Sequence, residues 1–401
     1  MIQFKSSALV FTIFCCVNFA QAQTQTPVAW DLNDVSYLLP LPEKVGPDQL
    51  LRINSESNGG ELLPTKFFQG LPQLTADMDG REIRENLRVI AVRIDPCFPA
   101  DPPLLCKKQI RLVWQVLIPG LHGATETVDA AIHVFYTLND SDFSGLVSDV
   151  KTWKEKFAPN LARLPLQIHP AWQNELDKSP SLLAFQKIVT TYAGPKTISR
   201  VTVMTVRNLG QTWGFVGADV VDDKLKVMDI PRLNSRAQIF INQANPADTF
   251  LGQISPEPGS GSDQIVDTIN HIITDSHTLQ KDHEQIIRDE LKSIYRIENP
   301  KVFNPNTMDC VSCHTAAPAK EWVAKKRGDI NGTDIFSQNA YQNFRYDLTN
   351  TSADITNTQI IRAFGYFRSG SAISQRIINE SAEVADAMNG LTIKKSIRSK
   401  K

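Results

Sequence analysis

Alternation with a period of two dominates the first two-thirds of the chain. In QIRLVWQVL, from Gln109, the apolar side chains of Ile110, Leu112, Trp114 and Val116 alternate with Arg111, Val113 and Gln115, which predicts a strand with one apolar and one more polar face. VDAAIHVFYTL repeats the pattern. RVIAVRI from Arg88, RVTVMTV from Arg200, KLKVMDI from Lys224 and RAQIFINQ from Arg236 are further strand candidates. Helical spacing is confined to Asp142 to Lys156, where Phe143, Leu146 and Val147 share a face, and to a stretch from Ala171 into the 180s. Strands and helices do not alternate regularly, so a doubly wound parallel sheet is not expected.

The pattern changes at ISPEPGSGSD, Ile254 to Asp263, where two prolines and two glycines make a loop. Beyond it, Gln264 to Ile297 reads as helix, broken near Asp275 and Ser276. PAKEWVAKKRG reads as a short helix with Pro318 at its start and Gly328 at its stop. RAFGYFR, with Phe364, Tyr366 and Phe367 between Arg362 and Arg368, reads as a half-buried strand. Ile373, Ile377, Val384 and Met388 predict a last helix capped by Ser371. The expected class is therefore α+β, a β-rich N-terminal region followed by a mostly helical C-terminal one. Its expected divisions are residues 1–22, 23–150, 151–258 and 259–401.

The first division is a leader. MIQFKSSALVFTIFCCVNFAQAQ has an early charge at Lys5, an apolar run from Ala8 to Val17 and the small-x-small tripeptide Ala20-Gln21-Ala22. These are the three regions of a secretory signal peptide, with cleavage near Ala22, and they predict a periplasmic or otherwise exported protein. No later stretch approaches the roughly 20 apolar residues of a membrane helix.

Composition narrows the field. The 401 residues carry 42 Lys and Arg against 43 Asp and Glu, a net charge of −1. No concentrated basic charge is available for general nucleic-acid binding, and the one basic cluster, KKSIRSKK from Lys394, reads as a solvated tail. Serine-hydrolase elbows, P-loops and HExxH metal motifs are absent.

Of the six cysteines, two lie in the leader, and the remaining four form two local pairs. Cys97 and Cys106 bracket FPADPPLL between two predicted strands, and a disulfide there would close a short loop in an oxidising compartment. Cys310 and Cys313 belong to NPNTMDCVSCHTAAP, which has C-x-x-C-H spacing with His314. The cysteines sit about one helical turn apart, with an imidazole directly after them. A thioredoxin-like redox pair, a zinc site using His271, His277 or His283, and a plain disulfide are the competing readings. A thioredoxin-like pair calls for a βαβ setting, and histidines six residues apart on one helix point in different directions.

The segment Cys310-Val311-Ser312-Cys313-His314 resembles the haem-attachment site of c-type cytochromes. That resemblance, which covers five residues, implies one covalent haem c bonded through Cys310 and Cys313, with His314 as proximal iron ligand. Met388 and His283 are the candidates for the distal position: Met388 is the only methionine after the motif, and His283 shares a helical face with Ile287, Leu291 and Ile294. Aromatics of RAFGYFR could cover a porphyrin, and its arginines could pair a propionate. His133 reads as a strand-face residue, and His122 and His169 as loop residues. The expected function is electron transfer with a redox partner protein, the N-terminal part serving as a docking or anchoring module. Alternatives are a haem enzyme acting on peroxide or small gases, and a cell-envelope binding module with an incidental haem or zinc site.

Overall fold

Runs of β-branched and aromatic residues, long enough to be covered on both sides, build a large sheet whose two faces are each packed against other elements. The computed structural model describes residues 29–46, 49–98, 106–120, 123–159, 163–172, 179–208, 210–258, 267–330, 332–352 and 357–398. The expected leader, His122 and the boundary expected at 258/259 lie outside these residues.

In chain order the strands are β1 (Ser36–Leu38), β2 (Glu56–Ser57), β3 (Gly60–Glu61), β4 (Leu87–Phe98), β5 (Lys107–Pro119), β6 (Thr125–Thr127), β7 (Ala131–Leu138), β8 (Ile198–Arg207), β9 (Thr212–Val221), β10 (Lys224–Val227), β11 (Ala237–Asn242), β12 (Gly252–Ser255), β13 (Phe364–Phe367) and β14 (Gly370–Ile373). The helices are α1 (Thr65–Gln69), α2 (Gly80–Asn86), α3 (Asp140–Phe157), α4 (Pro180–Tyr192), α5 (Asn270–Thr274), α6 (Glu284–Ile297), α7 (Cys310–Lys326), α8 (Thr333–Asn339) and α9 (Gln375–Arg398). The molecule thus mixes α and β, with a large antiparallel sheet in the N-terminal half and helices toward the C-terminus. Among the described residues the main sheet has ten strands in the order β1-β4-β5-β7-β8-β9-β11-β12, with β6 paired to β5 and β10 to β9.

The main sheet runs across residue 150. That position falls inside α3, and β7 before it pairs directly with β8 after it, Val134 opposite Val201. The hydrophobic core is likewise continuous from Trp30 to Met388. The physical reason is that β7 buries both of its faces only when β8 completes its hydrogen bonding and helices cover it.

One face of the sheet packs on α3 and α4 through an aromatic cluster of Tyr37, Trp153, Trp172 and Phe185, in which His169 stacks on Tyr37 at 5.2 Å between ring centroids. Burial, and to a lesser degree nearby Lys154, pulls His169 down to about 3, so it is a neutral core residue. The other face lies under α7, α9 and the β13–β14 hairpin. The more polar side of β5 is covered as well: Arg111 and Gln115 are buried. Gln115 Nε2 donates to the Tyr366 carbonyl, and Gln115 Oε1 accepts from the Tyr366 amide.

Two helical expectations also change. The stretch expected as one broken helix to Ile297 is α5, two single 3-10 turns and α6, with the interruption at Asp275 as predicted. The helix expected to start at Pro318 starts eight residues earlier, at Cys310, and Pro318 lies inside it. A proline reads as a helix start because its missing N–H is harmless there; here the capping at Asp309 overrides that signal. Cys97 and Cys106 form a disulfide with Cα atoms 4.6 Å apart, joining the ends of β4 and β5. No helix among the described residues is long and apolar enough to cross a membrane.

Candidate functional site

The C-x-x-C-H segment begins a helix whose N-terminus is buried, so its exposed amide groups must be satisfied by the protein. Asp309, completely buried, is the N-cap: its Oδ2 accepts from the Ser312 amide at 3.0 Å. Gln238, equally buried on β11, donates to the same Oδ2 at 3.0 Å and accepts from the Val311 amide at 2.9 Å. One sheet amide thereby holds both the cap and the first turn. Arg232 adds its guanidinium 3.6 Å from Asp309 Oδ1 and donates to Met308 Sδ at 3.2 Å. The approach loop is fixed by Arg376 of α9, which donates to the carbonyls of Ile297 and Phe303 at 2.7 and 2.6 Å.

This clamp sets Cys310, Cys313 and His314 on one wall of a partly open cleft of about 160 Å³. The opposite wall is the sheet. Register places its side chains in rows: Arg111, Phe135 and Arg200 across β5, β7 and β8; His133 beside Thr202 and Gly217; Met204 beside Phe215. The Phe215 ring lies 4.9 Å from that of His314. Arg376, Ile377 and Glu380 of α9 close one side.

His314 is oriented from 47 residues away, since its Nδ1 lies 2.7 Å from the carbonyl oxygen of Ile361. A carbonyl can only accept, so Nδ1 carries the hydrogen and Nε2 keeps a lone pair. The segment bearing Ile361 is pinned by a buried ion pair, Arg362 Nη2 to Asp129 Oδ1 at 2.8 Å, and Trp213 Nε1 donates to the other oxygen of Asp129 at 2.9 Å. Burial lowers His314 to about 4, an effect the hydrogen bond to Ile361 only partly offsets, and the imidazole is neutral at physiological pH.

The thiols sit in a similar setting. Each keeps some exposed surface, and both line the cleft. Burial pushes Cys313 up to about 11 and Cys310 higher, with Asp309 adding to the rise at Cys310. Both are therefore protonated at neutral pH, whereas a nucleophilic redox pair depends on a depressed thiol.

Among the described residues no group of three His, Cys, Asp or Glu side chains is gathered as a metal would require. His271 pairs with Glu290, His277 with Asp275, and His283 with Asp282, all on the surface of the α5–α6 region. His283 is not in the cleft and does not share the buried stripe of Ile287, Leu291 and Ile294; it sits in a turn just before α6. Met388 is buried in α9, also away from the cleft lining. Of the RAFGYFR segment, Ala363 reaches the cleft, while Phe364 and Tyr366 fill the core beneath the hairpin and Arg362 is committed to Asp129.

No family model, curated protein or solved structure is significantly similar to this chain. The functional reading rests on the geometry of the cleft.

Beneath the cleft lies a charge cluster that alternation alone did not expose. Arg93 and Arg111 are direct cross-strand neighbours, both buried. Glu380 compensates them, accepting from Arg93 Nη1 at 2.8 Å and from Arg376 Nε at 2.7 Å. Burial by itself would raise Glu380, but Arg376, Arg93 and Arg111 together outweigh it and bring the carboxyl down to about 2. Arg111 is drawn down to about 10, first by burial and then by Arg93, and stays charged. The signal available in the sequence was the arginine recurring on the polar side of adjacent strands.

Proposed function

We propose that this chain is an exported single-haem c-type protein that carries electrons to or from a redox partner protein. One observation carries the reading: two thiols one helical turn apart and an imidazole with a free Nε2 lone pair share one wall of a cleft between helix and sheet. The donor set also fits, because an iron ligand of this kind is held by hydrogen bonding its other ring nitrogen to a carbonyl, as Ile361 does for His314.

In this reading Cys310 and Cys313 hold the haem through thioether bonds, and His314 ligates its iron. When bound, the haem supplies reversible one-electron chemistry. The chain's own residues do the rest. Asp309 and Gln238 hold the attachment turn rigid, and the sheet supplies the opposite wall. The N-terminal sheet is then half of the pocket rather than a separate docking module.

The test is production of the full chain with its leader in a host carrying a haem-attachment system. Covalent haem that survives denaturing electrophoresis is expected in the periplasmic fraction, and C310A/C313A should abolish it. A folded, processed and colourless protein would overturn the reading.

A further inference from the structure

We infer that His133, from the central strand β7, is the distal iron ligand, so that the haem is held between two imidazoles from opposite walls of the cleft. This rests on the haem reading above and extends it to the sixth position, for which neither Met388 nor His283 is in place.

Two observations carry it. First, His133 lines the same cleft as His314, Cys310 and Cys313. It stands on the sheet wall between Val113 of β5 and Thr202 of β8. Second, among the described residues its ring has no hydrogen-bond or ion-pair partner, and the residue is only half-buried, so a ring nitrogen facing the cleft is available to a metal.

Two of the methionine sulfurs of the same cleft are otherwise placed. Met308 Sδ accepts from Arg232 and lies two residues before Cys310, on the attachment wall. Met228 Sδ occupies the space left by Gly217, where an added Cβ would lie only 2.7 Å from it. Met204 is the cross-strand neighbour of Phe215, whose ring already lies against His314.

Two functional consequences follow. A sixth position filled by the protein suits an electron carrier and blocks direct access of peroxide or small gases to iron. It also explains why the haem segment is built onto a large sheet: the second ligand arrives from a strand some 180 residues earlier in the chain.

The experiment uses the haem-loaded full chain, with attachment scored on a denaturing gel and axial ligation scored separately by electron paramagnetic resonance and magnetic circular dichroism. Wild type should be low-spin with two nitrogen ligands. H133A should keep its covalent haem but turn high-spin, and added imidazole should restore the low-spin signal. H133M should acquire a sulfur-ligand signature and a higher reduction potential, the direction in which methionine ligation moves it. Attached haem with a sulfur ligand or a high-spin iron in wild type would overturn the inference and leave the haem reading standing. So would a change on M204A with none on H133A. Wild type without attached haem would overturn both. Should H133A fail to fold, the wild-type spectrum alone decides.

Discussion

His314 and Ile361 meet through a 2.7 Å hydrogen bond between a ring nitrogen and a main-chain carbonyl, across 47 residues of sequence. The carbonyl cannot be replaced by mutation, but its support can. Asp129 neutralises Arg362, the next residue, in a pair whose side chains are almost fully buried. D129N removes that charge and leaves a buried guanidinium, which typically costs about 3–5 kcal/mol. Urea denaturation should report the loss, and the His314 Nδ1–H resonance should shift or broaden. An unchanged denaturation midpoint with an unchanged resonance would mean that the pair does not support this segment.

Gln238 is predicted to govern the stability of the attachment turn. Q238A strips a donor from Asp309 and an acceptor from the Val311 amide, both buried. Leaving such groups unsatisfied costs about 1–3 kcal/mol. Amide exchange at residues 311 and 312 should accelerate more than exchange in β4 or β5. Uniform acceleration throughout the protein would argue against a local clamp.

The Glu380 cluster makes a pH prediction with a definite sign. The folded carboxyl lies near 2, below its ordinary 4.5, so the unfolded state binds the proton more readily. Its contribution is complete above about pH 4.5 and is lost as pH falls toward 2. E380Q should destabilise the protein at pH 7 and narrow its difference from wild type by pH 3. A difference independent of pH over that range would refute the assignment.

Cys310 and Cys313 are predicted to be sluggish nucleophiles in protein prepared without haem. Both are held as thiols by burial, Cys313 near 11, and alkylation proceeds through the thiolate. Iodoacetamide at pH 8 should label them at least tenfold more slowly in the native state than in urea. Equal rates would place them in an open, solvated environment.

For Cys97 and Cys106, the bond closes a loop between adjacent antiparallel strands. C97S/C106S should lower stability by about 2–3 kcal/mol in the chain-entropy account. The cleft lies elsewhere in the molecule, so haem attachment to the double variant should be unaffected on a stained denaturing gel.

Periodicity and local spacing determined a good deal here. Strands β4, β5, β7, β8, β10 and β11, the helix α3, the hairpin strand at Phe364 and the cysteine pairing at 97 and 106 all follow from residues close together in sequence. The C-x-x-C-H spacing is equally local, and so was visible without a fold. What only the tertiary structure decided is which polar residues are buried together. Arg111 and Gln115 read as the more polar face of a strand, and only α7, α9 and the β13–β14 hairpin laid over them show that this face is buried. Pro318 reads as a helix start until Asp309 and Gln238 cap the helix eight residues earlier. His133 reads as an ordinary strand residue until the sheet register sets it in the cleft that His314 also lines. Alternation reports that a strand has two different faces, but it carries no information about what covers each one. That is fixed by contacts between segments hundreds of residues apart, here between a β-sheet and the helices that close over it.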